Sequence, residues 1–539
     1  MTLPIANIIY GSFIEGTPLN PRGITLENWI RVFTGTFPAR LSDLLLNTIT
    51  FAIVVAITST FAGFFLAYLV VRTDIPFKRV IEFLSLASRG PPLIVYTIAW
   101  VLTFSPRIGI YNQAATMILG YPLFSIYSFP GMVLGLALYE LPVAFLMSYN
   151  ALKLVDPSLE EQALICGGSN LYNLVKIVMP ILKPLLLSQI LLISLIALSS
   201  MEIPVLLGMP GKIYLLNSAV FFALYGEVFT PQYGLASSIG SILVMLALPI
   251  FCLYIMSLKN VQKFVTVGGR AKVSVTFNIG KWKYVFVGIF MSYFIFLILV
   301  PLTILVLQSF SSTYGTFDWT NFTIKNWVDA FNLSTVQRAF QNSIFLAIVG
   351  ATLASFICFF ISYSIVKIRE YELMKSLLQT ITLIPFTLPS VVLALGFIWA
   401  YIKTPIYATI WMLLFYYILA YLPFTLRNMT PFFYQIHPEL EEAAMVSGGG
   451  FLYNLRKVLF PLIKSGIVAV WIIVFQLYLR EFAGSILLYR GGSEVLATEI
   501  YVRAFSEGML QTGAVLGVTI MVISLLIYMS LIKYFRLII

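Results

Sequence analysis

EEQALICGGSNLYNLVKIVMPILKP at residues 160–184 returns as EEAAMVSGGGFLYNLRKVLFPLIKS at 441–465, identical at 12 of 25 positions without a gap and offset by 281. Each copy predicts helix, turn, helix. In the first, Asp156 supplies a cap, Pro157 a preorganised first turn, and the helix runs through Glu160, Glu161 and Ala163 until Gly167-Gly168 end it. His437, Pro438, Glu441, Glu442, Ala444 and Gly448-Gly449 repeat the plan. A second short amphipathic helix is expected next, with Leu171, Leu174, Ile177 and Val178 in one copy and Leu452, Leu455 and Val458 in the other. Lys176 and Lys457 are available for its polar face, and Pro180 and Pro461 are expected to stop it. A capped connector would explain either copy alone. It gives no reason for both to be long, acidic then basic, and alike.

The similarity extends outward from the two loops. The Pro142 region resembles that of Pro423, the Pro92 region that of Pro389, and Asn47-Thr48 matches Asn342-Ser343. The chain therefore reads as two copies of one module, residues 1–258 and 284–539, joined by a basic linker at 259–283 that contains Gly268-Gly269. Apolar runs long enough to cross a bilayer fall at 44–71, 80–104, 127–150, 185–207, 235–258, 284–308, 341–366, 376–401, 408–428, 465–489 and 511–532. That gives about eleven spans. Pro4 to Phe13 aligns with Pro301 to Phe310, the outer end of the second copy's first helix, so the first copy is expected to begin with a stump. For the chain as given, this places Met1 outside.

Composition agrees with the repeat. Of 539 residues, 60% are hydrophobic and 10% charged, whereas a soluble protein carries about 25% charged residues. A watery-surfaced enzyme is excluded, and the class is an all-α, multi-pass membrane protein of the cell membrane with the lipid bilayer as its surroundings. The formal charge of +11 does not point to nucleic acid, because 21 of the 33 Lys and Arg residues lie in one set of loops between apolar runs. That set marks the cytoplasmic side. Both repeated loops fall on it, so the halves are parallel rather than inverted. Cys166, Cys252 and Cys358 are far apart, which indicates neither a disulfide framework nor a metal cluster. No GxxxxGK[ST] motif occurs: the Gly-Lys pairs Gly211-Lys212 and Gly280-Lys281 are not followed by Ser or Thr. No cofactor is expected on the chain itself, and no metal site.

Charges inside spans are costly and therefore candidates for function. They are Glu82, Arg89, Glu140, Glu202, Arg480 and Glu481. Arg89 lies in SRGPP, where Gly and Pro interrupt the helix. It either pairs with Glu140 or Glu202 to lock the bundle, or lines a path. Glu202 and Glu481 occupy nearly equivalent places, where they bias a pore toward cations or pair with Arg480 and Arg490. An ion-coupled secondary transporter using Arg89, Glu140 and Glu202 as a relay is the rival reading.

The spacing Glu161, Ala163, Gly167, Pro180, and Glu442, Ala443, Ala444, Gly448, Pro461, resembles the EAA loop of ABC-importer permeases. Gln162 departs from that pattern in the first copy. The resemblance implies two type I ABC permease modules in one chain. It implies that Glu160, Glu161, Ala163 and Gly167, with Glu441, Glu442, Ala444 and Gly448, form two coupling helices that dock on a homodimeric cytoplasmic ABC ATPase, which hydrolyses the ATP. EIPVLLGMPGKIYLLNSAVFFAL and REFAGSILLYRGGSEVLATEIYVRAF are similar to segments of the fused ferric-iron, thiamine and polyamine permeases. That implies a small solute, ferric iron first, delivered by an extracytoplasmic binding protein that docks on outer loops 105–126, 209–234, 309–340 and 490–510.

Overall fold

A segment crossing lipid must satisfy its own backbone hydrogen bonds, and for apolar runs of about 20 residues the helix does so. In a computed structural model of the chain, nine helices among the described residues are long and apolar enough to cross a membrane: Leu41–Arg72, Phe129–Lys153, Asn170–Ser199, Tyr233–Leu258, Trp282–Phe310, Ser334–Lys367, Ile410–Tyr434, Phe451–Leu479 and Leu510–Ile527. The described residues are all except 1, 36–37, 227–229, 265–276, 314–320, 368–373, 376, 379–381, 383–384, 386–387 and 537–539. The only sheet among them is a hairpin, Ile14–Gly16 against Pro21–Ile24, with Ile14 opposite Ile24.

The departures from the expected spans have identifiable causes. The run at 80–104 is two helices, Lys78–Ala87 and Leu93–Phe104, because the Pro91-Pro92 pair cannot donate to a helical ladder. Its counterpart at 376–401 is described as helix over Ser390–Tyr401, and most of 376–387 lies outside the described residues. Pro180 and Pro461 do not stop a helix. A π-turn, Leu174–Val178 or Leu455–Leu459, ends two residues before each proline, and the wider turn accommodates the missing N–H donor and the ring. The expected short helix and the following span are therefore one element, 30 residues long in the first copy and 29 in the second. After Ser199, Pro204–Gly211 and Leu216–Tyr225 meet at 82°. Much of 209–234 is thus a bent helix with Leu216, Ala219 and Val220 fully buried, not an open outer loop.

Packing divides the chain into two units, Met1–Thr25 with Ile324–Ile539, and Leu26–Thr323. The sequence repeats are cut differently, and the difference lies in the first helix. Within the former unit, Thr2–Ser12, at the place of the stump, packs on Ser390–Tyr401, with Tyr10 edge-on to Trp399 at 6.2 Å. Within the latter, Trp282–Phe310 packs on Leu93–Phe104, and Trp100 Nε1 donates to the Leu297 carbonyl at 3.0 Å. This helix is peripheral: 28% of its most apolar window is buried, against 61% for Leu41–Arg72.

Residues 265–276 of the linker lie outside the described residues, but its end is anchored. Phe277 N–H donates to the Arg72 carbonyl at 2.8 Å, and Asp74 N–H donates to the Phe277 carbonyl at 3.0 Å. A hydrogen bond from Lys283 at 2.8 Å holds the Asp74 carboxyl below its ordinary value.

Aligned residues do the same work in both copies. Thr48 Oγ1 accepts from Leu216 N–H at 2.9 Å, and Ser343 Oγ accepts from Leu496 N–H at 2.8 Å. Each hydroxyl satisfies a first-turn donor of a buried helix, Leu216–Tyr225 or Leu496–Tyr501.

Candidate functional site

The two repeated loops fold as helices Pro157–Ile165 and Pro438–Val446. Asp156 caps the first, accepting from Ser158 N–H at 3.0 Å, whereas His437 makes no side-chain cap. Gly167 and Gly448 end them with φ of +87° and +82°, the left-handed backbone that favours glycine. Gly168 N–H then reaches the Ala163 carbonyl at 2.8 Å, and Gly449 N–H the Ala444 carbonyl at 2.9 Å, closing Schellman turns.

The two acids of each pair face opposite ways. Glu161 and Glu442 are exposed. Glu160 and Glu441 are buried, and each ties its helix to the inner end of a membrane helix. In the first copy, Arg72 Nε lies 2.8 Å from Glu160 Oε1, with side chains 1% and 0% exposed. Arg72 Nη2 also donates to the Leu152 and Val155 carbonyls at 3.0 and 3.1 Å. One guanidinium thus joins the end of Leu41–Arg72, the end of Phe129–Leu154 and the loop helix. Burial pushes the Glu160 carboxyl above its ordinary value, and Arg72 draws it back. Asn173 Nδ2 donates to the Glu160 carbonyl at 3.1 Å.

In the second copy Lys367 pairs with Glu441, and Asn454 Nδ2 donates to Glu441 Oε2 at 3.2 Å. Here the base is 30% exposed and the carboxylate keeps a second donor. Sequence reading named the acids but missed Arg72, Lys367, Asn173 and Asn454. The asparagines were in the quoted repeat, and the two bases end the matching membrane helices.

Beside these helices stands apolar surface with no cover from the described residues of the chain. Ile165 is 85% and Val446 90% exposed, and Leu171, Tyr172, Phe451, Leu452 and Tyr453 are also exposed. Ala163 is half-buried and Ala444 buried, so the alanines sit at the seam between the buried acid and this surface. Together, exposed acids, small residues and large apolar side chains make two similar faces with the composition of a protein-contact surface.

Five of the six intramembrane charges have hydrogen-bond or ion-pair partners within their units, and Arg480 is half-buried beside Glu481 in sequence. Arg89 Nη1 lies 2.6 Å from Glu140 Oε1 and donates to the Tyr139 carbonyl at 3.1 Å, and its guanidinium stacks 4.2 Å from the Tyr139 ring. The open choice for Arg89 thus resolves on Glu140 for direct contact, with Glu202 nearby as an electrostatic neighbour. Tyr139 hydroxyl donates to the Pro91 carbonyl at 3.0 Å, satisfying backbone that the helix break frees. Glu82 accepts from the Tyr149 hydroxyl at 2.8 Å. Glu202 is 9% exposed and its Oε2 accepts from Met201 N–H at 3.2 Å. Glu481 accepts from the Tyr416 and Tyr421 hydroxyls and from Gly484 N–H, while Arg490 donates to the Leu487 and Tyr489 carbonyls. Glu140→Gln removes a charge and leaves Arg89 in a largely buried place, so purified protein is expected to unfold at a lower temperature than wild type while its transport cycle still runs. Wild-type thermal stability with abolished transport would move the pair from lock to path.

The three cysteines are free, and no group of three or more His, Cys, Asp or Glu among the described residues is arranged to hold a metal ion.

Bundled apolar helices and broken spans define a multi-pass membrane protein that carries two alike exposed faces on its repeated loops. Residues 368–536 match the family model described as binding-protein-dependent transport system inner membrane component. It is 24% identical to an Fe(3+)-transport system permease protein of Haemophilus influenzae, over 86% of this chain and 85% of that one. It is 23% identical to a ferric transport system permease protein of Actinobacillus pleuropneumoniae over 74% of this chain and 58% of that one. Identity to the spermidine/putrescine transport system permease protein of Escherichia coli is 26%, over 38% of this chain and 76% of that one. Among solved structures, a bacterial alginate ABC transporter in complex with alginate pentasaccharide-bound periplasmic protein is similar over 46% of this chain and 91% of that one, at 17% identity and a TM-score of 0.39.

Proposed function

We propose that this permease carries both membrane modules of an importer in one chain and moves ferric iron delivered by an extracytoplasmic binding protein. The carrying observation is the pair of like faces around Pro157–Ile165 and Pro438–Val446: two pseudo-equivalent docks suit a twofold ATPase dimer. In this reading Glu161, Ala163, Gly167, Glu442, Ala444 and Gly448 shape the docks, while Glu160 and Glu441 hold each helix at its angle. Arg89 and Glu140 brace the broken span. Glu202 and Glu481 are the acids nearest a cation's path. Two of the relatives named above are ferric permeases, which supports iron over polyamine.

The full chain, assembled with its ATPase and binding protein in cells, tests this. Uptake of radiolabelled ferric iron is expected to persist when an uncoupler collapses the proton gradient and ATP is retained. Collapse of uptake with ATP intact would favour an ion-coupled carrier and overturn the reading. Uptake of spermidine but not iron would leave the importer and replace its substrate.

A further inference from the structure

LENWIRVF at 26–33 and IKNWVDAF at 324–331 share Asn, Trp and Phe at matching positions, and each stretch contains most of an eight-residue helix, Glu27–Thr34 and Lys325–Asn332. The two helices precede the matching long spans Leu41–Arg72 and Ser334–Lys367, on the side opposite the basic loops. Each is two-faced. In the first, Val32 is buried and Asn28 and Trp29 half-buried, whereas Leu26, Ile30 and Phe33 stand exposed at helical spacing, flanked by exposed Glu27 and Arg31. In the second, Ala330 is buried while Ile324 and Val328 are exposed, flanked by Lys325 and Asp329. Trp29 stacks on Phe33 at 6.2 Å and Trp327 on Phe331 at 6.3 Å, which stiffens both.

Their depth is set by what they rest on. Glu27–Thr34 packs on the helix that begins at Tyr233. Arg31 Nη2 donates to Gln232 Oε1 at 2.7 Å, and Gln232 is the last polar residue before the apolar span Tyr233–Leu258. A Cβ on Gly234 would meet the Asn28 side chain at 2.3 Å, so glycine there lets the short helix lie directly on the start of the span. Lys325–Asn332 likewise packs on the helix whose apolar span is Leu510–Ile527. An apolar face at the level where a span meets water, with charges on its flanks, is the arrangement of a helix lying in the membrane interface.

We propose that Glu27–Thr34 and Lys325–Asn332 are interfacial helices whose exposed apolar faces sit in phospholipid at the headgroup–acyl boundary of the outer leaflet. Trp29 and Trp327 then sit at the belt where amphipathic rings are favoured. Each short helix fixes the level of the spans that it touches. This goes beyond the importer reading and does not depend on the substrate.

The test uses the full transporter in phosphatidylethanolamine–phosphatidylglycerol bilayers, with Cys166, Cys252 and Cys358 replaced by Ser and single cysteines at 26, 30, 33 or 328 carrying a nitroxide. Glu27→Cys and Asp329→Cys report the flanks. At the four apolar positions, collisions with oxygen are expected to exceed those with a water-soluble nickel chelate, and the order to reverse at the two flank positions. Loaded binding protein should leave the four values unchanged. Chelate access at 30 and 328 in the bilayer would overturn the proposal. So would shielding that develops only when binding protein is added, which would make these faces protein-docking surfaces.

Discussion

Replacing Arg72 by Met is expected to cost about 3–5 kcal/mol of stability, because it leaves the Glu160 carboxylate buried without its cation. The Leu152 and Val155 carbonyls lose their donors in the same step. Purified complex should show this as early thermal aggregation and as loss of ATPase stimulation by loaded binding protein. A double variant, Arg72→Met with Glu160→Leu, should recover much of the stability, since an apolar pair of similar volume often replaces a buried ion pair without penalty. Recovery should stay partial, because the two carbonyls remain without the guanidinium. Lys367→Met is expected to be milder. Its ammonium is 30% exposed, and Asn454 still donates to Glu441. If Arg72→Met matches wild type in both thermal stability and stimulation, the tie between loop helix and membrane helix carries no weight.

The double variant Gly167→Asp, Gly448→Asp is expected to reach the membrane at near-normal levels and to lose transport. At φ of +87° and +82° a non-glycine residue pays about 1–2 kcal/mol of backbone strain, less for Asp and Asn, which visit this region. No heavy atom lies within 4 Å of a Cβ built at either glycine, so nothing in the chain clashes. What changes is the dock, which gains a carboxylate beside exposed Ile165 or Val446. A companion pair, Gly167→Asn with Gly448→Asn, carries like strain without the charge and should retain more transport. Normal uptake in the Asp variant would remove these loops from coupling.

The two inner helices and their glycine ends were legible because capping and termination are local chemistry, written within a dozen residues. Most spans were legible from hydropathy. What escaped depends on pairing across the fold. Which acid of each Glu-Glu pair turns inward is decided by where Arg72 and Lys367 end their own helices, far away in sequence. The stopping role given to Pro180 and Pro461 failed because a proline ends a helix only if the turn before it keeps α geometry, and five residues of π-turn remove that condition. The buried bent helix within 209–234 looked like a loop because its proline and glycines are also what loops contain. Arg89 was ambiguous from sequence, since Glu140 and Glu202 were both open to it as partners.

The π-turns have a mechanical consequence. Asn170–Ser199 and Phe451–Leu479 are each about 45 Å long at 1.5 Å per residue, more than the roughly 30 Å of hydrocarbon they cross. One end of each carries an exposed apolar residue, Leu171 or Leu452, and the other lies close in sequence to Glu202 or Glu481. Through the π-turn each helix stays continuous, so no loop separates its two ends. A tilt imposed at the water end arrives at the acids as a displacement of the opposite sense, scaled by where along its length the bundle grips it. Inserting a flexible Gly-Gly step at that grip would turn a lever into a tether.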